Sequence, residues 1–178
     1  QIYPQKVRPE KPAKTRTIAQ IDTPKLTIAF MATSILLTIF LNVPALSYIA
    51  KAMLYSNYSY PPIPEIRNGE VWRLVTPIFL HGGALHLIFN MIWLYQLGAQ
   101  IELFEGRRYY LVLTIIFAII VNGAQFLVSG PSFLGYSGVV YGMLTYIWMM
   151  AQYSTISRYD MHQQTVYFML GWLLLCFT

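Results

Sequence analysis

The stretch YYLVLTIIFAIIVNGAQFLVSGPSFLGYSGVVYG, Tyr109 to Gly142, decides the fold. Tyr109 to Val128 is apolar over the length of helix that crosses a bilayer, about 20 residues. SGPSFLG, Ser129 to Gly135, is a turn made of helix breakers. A second apolar segment then opens at Ser137, and no charged residue occurs from Tyr109 to Ser157. Two membrane spans joined by a tight turn fit this pattern. A soluble core helix pair would need polar faces that the stretch does not have. The serine that opens the second span stands among glycines in GYSGVVYG, and that placement needs a reason.

The rest of the chain extends the pattern. The 178 residues are 56% hydrophobic and 11% charged, against roughly 25% charged in soluble domains. Leu26 to Ala50 is uncharged and reads as a first span, with Thr23-Pro24 as its cap and first turn. Lys51 to Thr76 is a long connection rich in proline and tyrosine, suited to the membrane interface. A second span is expected from Gly83 to Leu103. It ends in ELFEGRR, where Gly106 suits a helix terminus. The third span is Tyr109 to Val128 and the fourth runs from Ser137 to about Tyr153. A polar loop follows, then an apolar run from Thr165 to Thr178 that is short for a crossing. The domain reading is a basic tail over 1–25 and a membrane domain over 26–178, with the fifth span cut short. The lone Cys176 allows no internal disulfide.

Charge orients the chain. The net charge of +5 comes largely from Lys6, Arg8, Lys11, Lys14, Arg16 and Lys25. This tail suits a solvated segment facing anionic lipid, and nucleic acid is not an expected partner. The tail, Arg107-Arg108 and Arg158 share one side if the spans alternate, which puts the N-terminus in the cytoplasm. The Lys51–Thr76 connection and the Ser129–Gly135 turn are then extracytoplasmic, and Ser137 starts its helix at or just below the outer face.

Polar residues inside spans are costly unless partnered, so they carry the functional information. His86 and Asn90 in HGGALHLIFN are four apart and share a helix face. His81 lies about 140° from His86 on an ideal helix, so it faces elsewhere or belongs to the entering loop. That spacing, with no acidic or cysteine partner nearby, makes a zinc site a poor reading. Gly135 permits an unusual backbone turn, and Ser137 then meets the free N–H groups of a helix start. Those donors, with His86 and Asn90, could hold an oxyanion beside a serine nucleophile. The plainer alternative makes Gly138 and Gly142 a small-residue packing face with Ser137 as one more small residue in it.

EVWR, HGGALHLIFN, ELFEG and SGPSFLGYSGVVYG together resemble the rhomboid intramembrane serine proteases of the compact bacterial type. The resemblance runs from Glu70 to the end. It implies an all-α polytopic membrane protein, a rhomboid-like helical bundle of six spans, of which about four and a half fall within this sequence. It implies that Ser137 is the nucleophile and that His86, Asn90 and the Ser137 N–H form the oxyanion hole. Tyr141 would pack against the catalytic histidine, and Trp72 and Arg73 would lie in a loop dipping into the outer leaflet. His81 and Glu102 would hold that loop and the helix ends by hydrogen bonds, and Gln125 would stand beside the substrate cleft. The family's general base is a histidine on the sixth span, in an AHxxG context. No such string occurs here, and His162, the only histidine after Ser137, falls in a polar loop on the cytoplasmic side. The expected activity of the parent protein is therefore cleavage of transmembrane segments by a Ser–His dyad, without metal or cofactor. The chain by itself is expected to be inactive. The Gly138/Gly142 face is expected to lie bare for want of a sixth span.

Two rival functions follow from the same residues. One is a rhomboid-like protein that binds transmembrane helices without cutting them, which keeps Ser137 and the His86/Asn90 pair but lacks the base. The other is a transporter or channel subunit, which the absence of charged residues from the middles of the spans disfavours. The expected partners are transmembrane substrates and the lipid bilayer. The expected location is a bacterial inner membrane with the site opening outward. No oligomeric state follows from the sequence.

Overall fold

A computed structural model describes residues 23–57, 63–154, 158–159 and 161–175. Most of the basic tail, Cys176 and the end of the fifth apolar run lie outside the described residues. The helices in chain order are α1 (Lys25–Asn42), α2 (Ser47–Lys51), α3 (Pro64–Arg67), α4 (Ala84–Trp93), α5 (Ala99–Glu105), α6 (Arg107–Ser129), α7 (Ser137–Tyr153) and α8 (Gln163–Leu175). No strand occurs among the described residues.

The polarity of α1 and α6 is inverted relative to helices of a soluble protein. α1 buries Thr27, Ser34 and Thr38 while Ile28, Ile35, Leu36 and Ile39 face outward. α6 buries Tyr110, Thr114, Ala118 and Asn122, each four residues on from the last, and so along one face. Its outer face carries Val112, Ile116, Ile120, Leu127 and Val128, the last two 84% and 86% exposed. So continuous an apolar surface is unfavourable in water and favourable in hydrocarbon. α1 and α6 are both long and apolar enough to cross a membrane. The molecule is a helical membrane bundle.

Three expectations change. The first span stops at Asn42 rather than Ala50. Val43 is extended, as a residue preceding proline is driven to be. Pro44–Leu46 then forms a 3-10 turn leading into α2, which packs back on α1. Thr23 does not cap α1 with its side chain, because the cap comes from Glu102. The third change concerns Gly138 and Gly142, whose face is not bare. A side chain at Gly138 would strike Val121, and one at Gly142 would come within 2.9 Å of the Phe117 ring. The two glycines let α7 settle onto α6, as small residues do where helices meet in lipid.

α4 and α5 form one continuous helix, wound as a π turn over Leu94–Gly98. Its core side chains Leu94, Leu97 and Ile101 pack with Tyr110 of α6 and with Val140, Met143 and Ile147 of α7. α8 closes the bundle across α4 and α7. Trp172 lies 4.4 Å from Phe89, Phe168 lies 6.1 Å from Trp93, and the Tyr141 hydroxyl donates to the Met169 carbonyl at 2.7 Å.

Candidate active site

Ser137 is the first residue of α7, half-buried, with Tyr136 as the N-cap. The first N–H groups of a helix have no partner within it, and those of α7 begin at the serine. The two residues before it are fixed from outside. The Gly135 N–H donates to the Pro77 carbonyl at 3.1 Å. The Tyr136 N–H donates to His81 Nε2 at 3.4 Å, a long bond. Ser137 therefore follows a turn held by the Pro77–His81 segment.

Gly135 takes φ +122°, a conformation that side chains rarely adopt. A Cβ built there would stand 2.5 Å from His86 Cε1 and 2.8 Å from His86 Nε2. The imidazole of His86 thus occupies the space that any other residue at 135 would need. This seats His86 against Gly135, two residues before the serine. Asn90 is buried on the same face of α4, one turn below, and its Nδ2 donates to the His86 carbonyl at 2.8 Å. That bond uses one of the two amide hydrogens. His86 and the serine turn, far apart in sequence, meet at Gly135, and Asn90 is tied to His86 through its carbonyl.

His81 belongs to the loop before α4 and is fully buried, its ring 5.1 Å from that of His86. Burial, with a smaller contribution from the charge of His86, lowers His81 to about 4. The ring is therefore neutral at ordinary pH. Because Nε2 accepts from Tyr136, the proton of the neutral ring sits at Nδ1.

The remaining residues frame this centre. Arg73 is buried in the outer connection, where its Nη1 donates to the Leu54 carbonyl at 2.7 Å and its Nε pairs with Glu70 at 2.7 Å. Trp72 is 48% exposed and its indole donates to the Ala52 carbonyl at 3.2 Å. Glu65 is buried and accepts from the Ser56 hydroxyl at 2.7 Å and the Asn57 N–H at 2.8 Å. Burial pushes its carboxyl up, but the bonds from Ser56, Asn57 and its own backbone, with the charge of Arg73, outweigh this and hold it below the usual value. Glu102 lies at the opposite end and accepts from the Leu26 N–H at 2.9 Å, the Thr27 N–H at 2.7 Å and the Thr27 hydroxyl at 2.8 Å. Gln125 is exposed on α6 and bonds Ser129 at 2.9 Å. Tyr141 is tied to α8 through Met169.

Sequence reasoning missed Asn122 and Glu65. Asn122 is buried in α6, and its Nδ2 donates to the Leu74 carbonyl at 2.8 Å. An amide inside an apolar span was itself the available signal.

A Rhomboid domain family model matches residues 68–178, which include every residue of this centre. The proteins named Rhomboid protease GlpG from Salmonella newport (strain SL254) and Salmonella typhi are each 34% identical to the chain over 112 residues. The match covers 63% of this chain and 41% of each relative, so it spans about two fifths of their length.

Proposed function

The chain belongs to the rhomboid family, and we propose that it is part of an intramembrane serine endopeptidase acting on transmembrane segments. One observation carries the reading: His86 is seated against Gly135, beside the serine that opens α7. A nucleophile, an imidazole donor and unpaired helix N–H groups then converge where a carbonyl can be attacked.

In this mechanism a histidine base takes the Ser137 hydroxyl proton and the oxygen attacks the scissile carbonyl carbon. The carbonyl oxygen becomes an oxyanion held by the Ser137 N–H, His86 and Asn90. The C–N bond breaks as the base returns its proton to the leaving amine. Water, deprotonated by the same base, then cleaves the acyl-enzyme ester. No metal or cofactor enters these steps. His81 is committed to Tyr136, His86 to the oxyanion, and His162 is exposed in the loop before α8. The proposal therefore places the base on a further span, as the rhomboid resemblance implies. The 178 residues alone hold the nucleophile and the donors without it. Arg107 and Arg108 at one end and the Glu65–Arg73 connection at the other suit an N-terminus in the cytoplasm of a bacterial cell and a site opening outward. The relatives bear the name protease, and nothing found favours the reading in which helices are bound without cleavage.

The test is covalent labelling. A fluorophosphonate probe should label the complete protein at Ser137, Ser137→Ala should abolish the label, and residues 1–178 alone should not react. A Ser137→Ala variant labelled as strongly as the wild type would overturn the assignment.

A further inference from the structure

We propose that Asn122 is a positioning residue for the serine turn, acting through the Leu74–Pro77 strap. The proposal deepens the protease reading and rests on it for its kinetic arm.

The Leu74 carbonyl ends a 3-10 turn, Val71–Leu74, and the next turn is Thr76–Phe79. Its i+3 donor would be the N–H of residue 77, but Pro77 has none. Its i+4 donor, the Ile78 N–H, goes to the Val75 carbonyl at 3.3 Å. The backbone thus leaves the carbonyl of half-buried Leu74 without a local partner. Asn122 Nδ2 meets it at 2.8 Å from α6. An unpaired carbonyl there is strongly unfavourable, so the amide fixes the strap against α6.

That fixing reaches the candidate centre through three residues of chain and one hydrogen bond. Three residues beyond Leu74, the Pro77 carbonyl accepts the Gly135 N–H at 3.1 Å. Gly135 is the residue that His86 packs against. The neighbour of Asn122 on α6, Val121, fills the space beside Gly138 just after the serine. α6 therefore grips the serine turn twice, directly at Gly138 and through the strap at Gly135. Asn122 touches no reacting atom. It sets where Pro77 stands, and Pro77 sets where Gly135 and the oxyanion donors stand.

The proline makes the idea testable by suppression. In Pro77→Ala, residue 77 regains an N–H that can donate to the Leu74 carbonyl in 3-10 register while its own carbonyl still holds Gly135. The experiment measures cleavage of a transmembrane substrate and amide hydrogen exchange at Gly135, using the complete protein in detergent. Asn122→Leu should lower kcat by roughly 10- to 100-fold, as a displacement near 1 Å does, with KM nearly unchanged. Exchange at Gly135 should rise about tenfold through local opening. Pro77→Ala serves as the reference for the double variant, and Pro77→Ala/Asn122→Leu should differ from it by far less than Asn122→Leu differs from wild type in both measurements. A side chain that only filled space would not be rescued by an N–H at position 77. If Asn122→Leu does not fold, Asn122→Ala takes its place, and recovery of folding by Pro77→Ala counts in favour. Wild-type behaviour of both Asn122 variants, or failure of Pro77→Ala to restore what either removes, overturns the proposal. If the wild type itself cleaves nothing, the protease reading falls, while the exchange data still judge Asn122.

Discussion

Replacing Gly135 by alanine tests the seating of His86 most directly. Two penalties are separable there. The backbone at φ +122° is hostile to any side chain and should cost about 1–3 kcal/mol of stability. The second penalty is steric. The new methyl would lie 2.5 Å from His86 Cε1, whereas carbon atoms rest about 3.5–4.0 Å apart. The imidazole or the turn must therefore retreat by about 1 Å. The His81 ring, 5.1 Å from that of His86, limits retreat on one side. A shift of that size at an oxyanion donor should lower kcat about 10²-fold. Gly130→Ala is the control: it lies in the same connection at φ +73°, but nothing stands within 4 Å of its added carbon. Both variants of the complete protein should lose Tm in detergent, Gly135→Ala the more because of the added contact. Only Gly135→Ala should also lose the hundredfold in cleavage of a reconstituted transmembrane substrate. If Gly135→Ala cleaves as fast as Gly130→Ala, His86 does not sit against the serine turn and the oxyanion assignment fails.

Three further outcomes are expected. Substituting His86 or Asn90 by alanine should each reduce turnover by ~10²–10³ with little change in Tm, and a His86→Ala/Asn90→Ala enzyme that cleaves normally would remove both from the mechanism. Glu102→Gln should destabilise the protein by about 1–3 kcal/mol and speed hydrogen exchange at Leu26 and Thr27; unchanged exchange there would show that the carboxylate is not the α1 cap. Glu65 has its carboxyl held below the ordinary 4.5, so its contribution is whole above that pH and is lost as pH falls through the lower folded value. Exchange in the outer connection should accordingly rise only in acid, and Glu65→Gln should flatten that rise. An acid limb left in the variant is expected from His81, whose proton acceptance at about 4 opposes its bond to Tyr136. An outer connection that loosens between pH 8 and 5 would contradict both assignments.

The spans were legible because hydrocarbon demands long apolar runs, and α6 and α7 fall close to where the uncharged stretch put them. The end of α1 was misread for an instructive reason: apolar character continues past Asn42, but the helix stops where Pro44 forces Val43 out of helical geometry. Pairings across the bundle were much harder to read. Nothing in Glu102 itself says that it meets the amides of Leu26 and Thr27. Nothing in Gly138 names Val121 as its neighbour. Yet one kind of long-range contact leaves a local trace. Proline deletes a donor, so the carbonyl three residues before it is released whenever the chain turns in 3-10 fashion. In water such a carbonyl is solvated and carries no message. Within a membrane bundle such a carbonyl favours a side-chain donor, and a buried amide in a mostly apolar span is the complementary half of that need. Leu74 before Pro77 and Asn122 in α6 are such halves, 2.8 Å apart. Matching such carbonyls to amides within spans points to α6 as the partner of the Leu74–Pro77 strap.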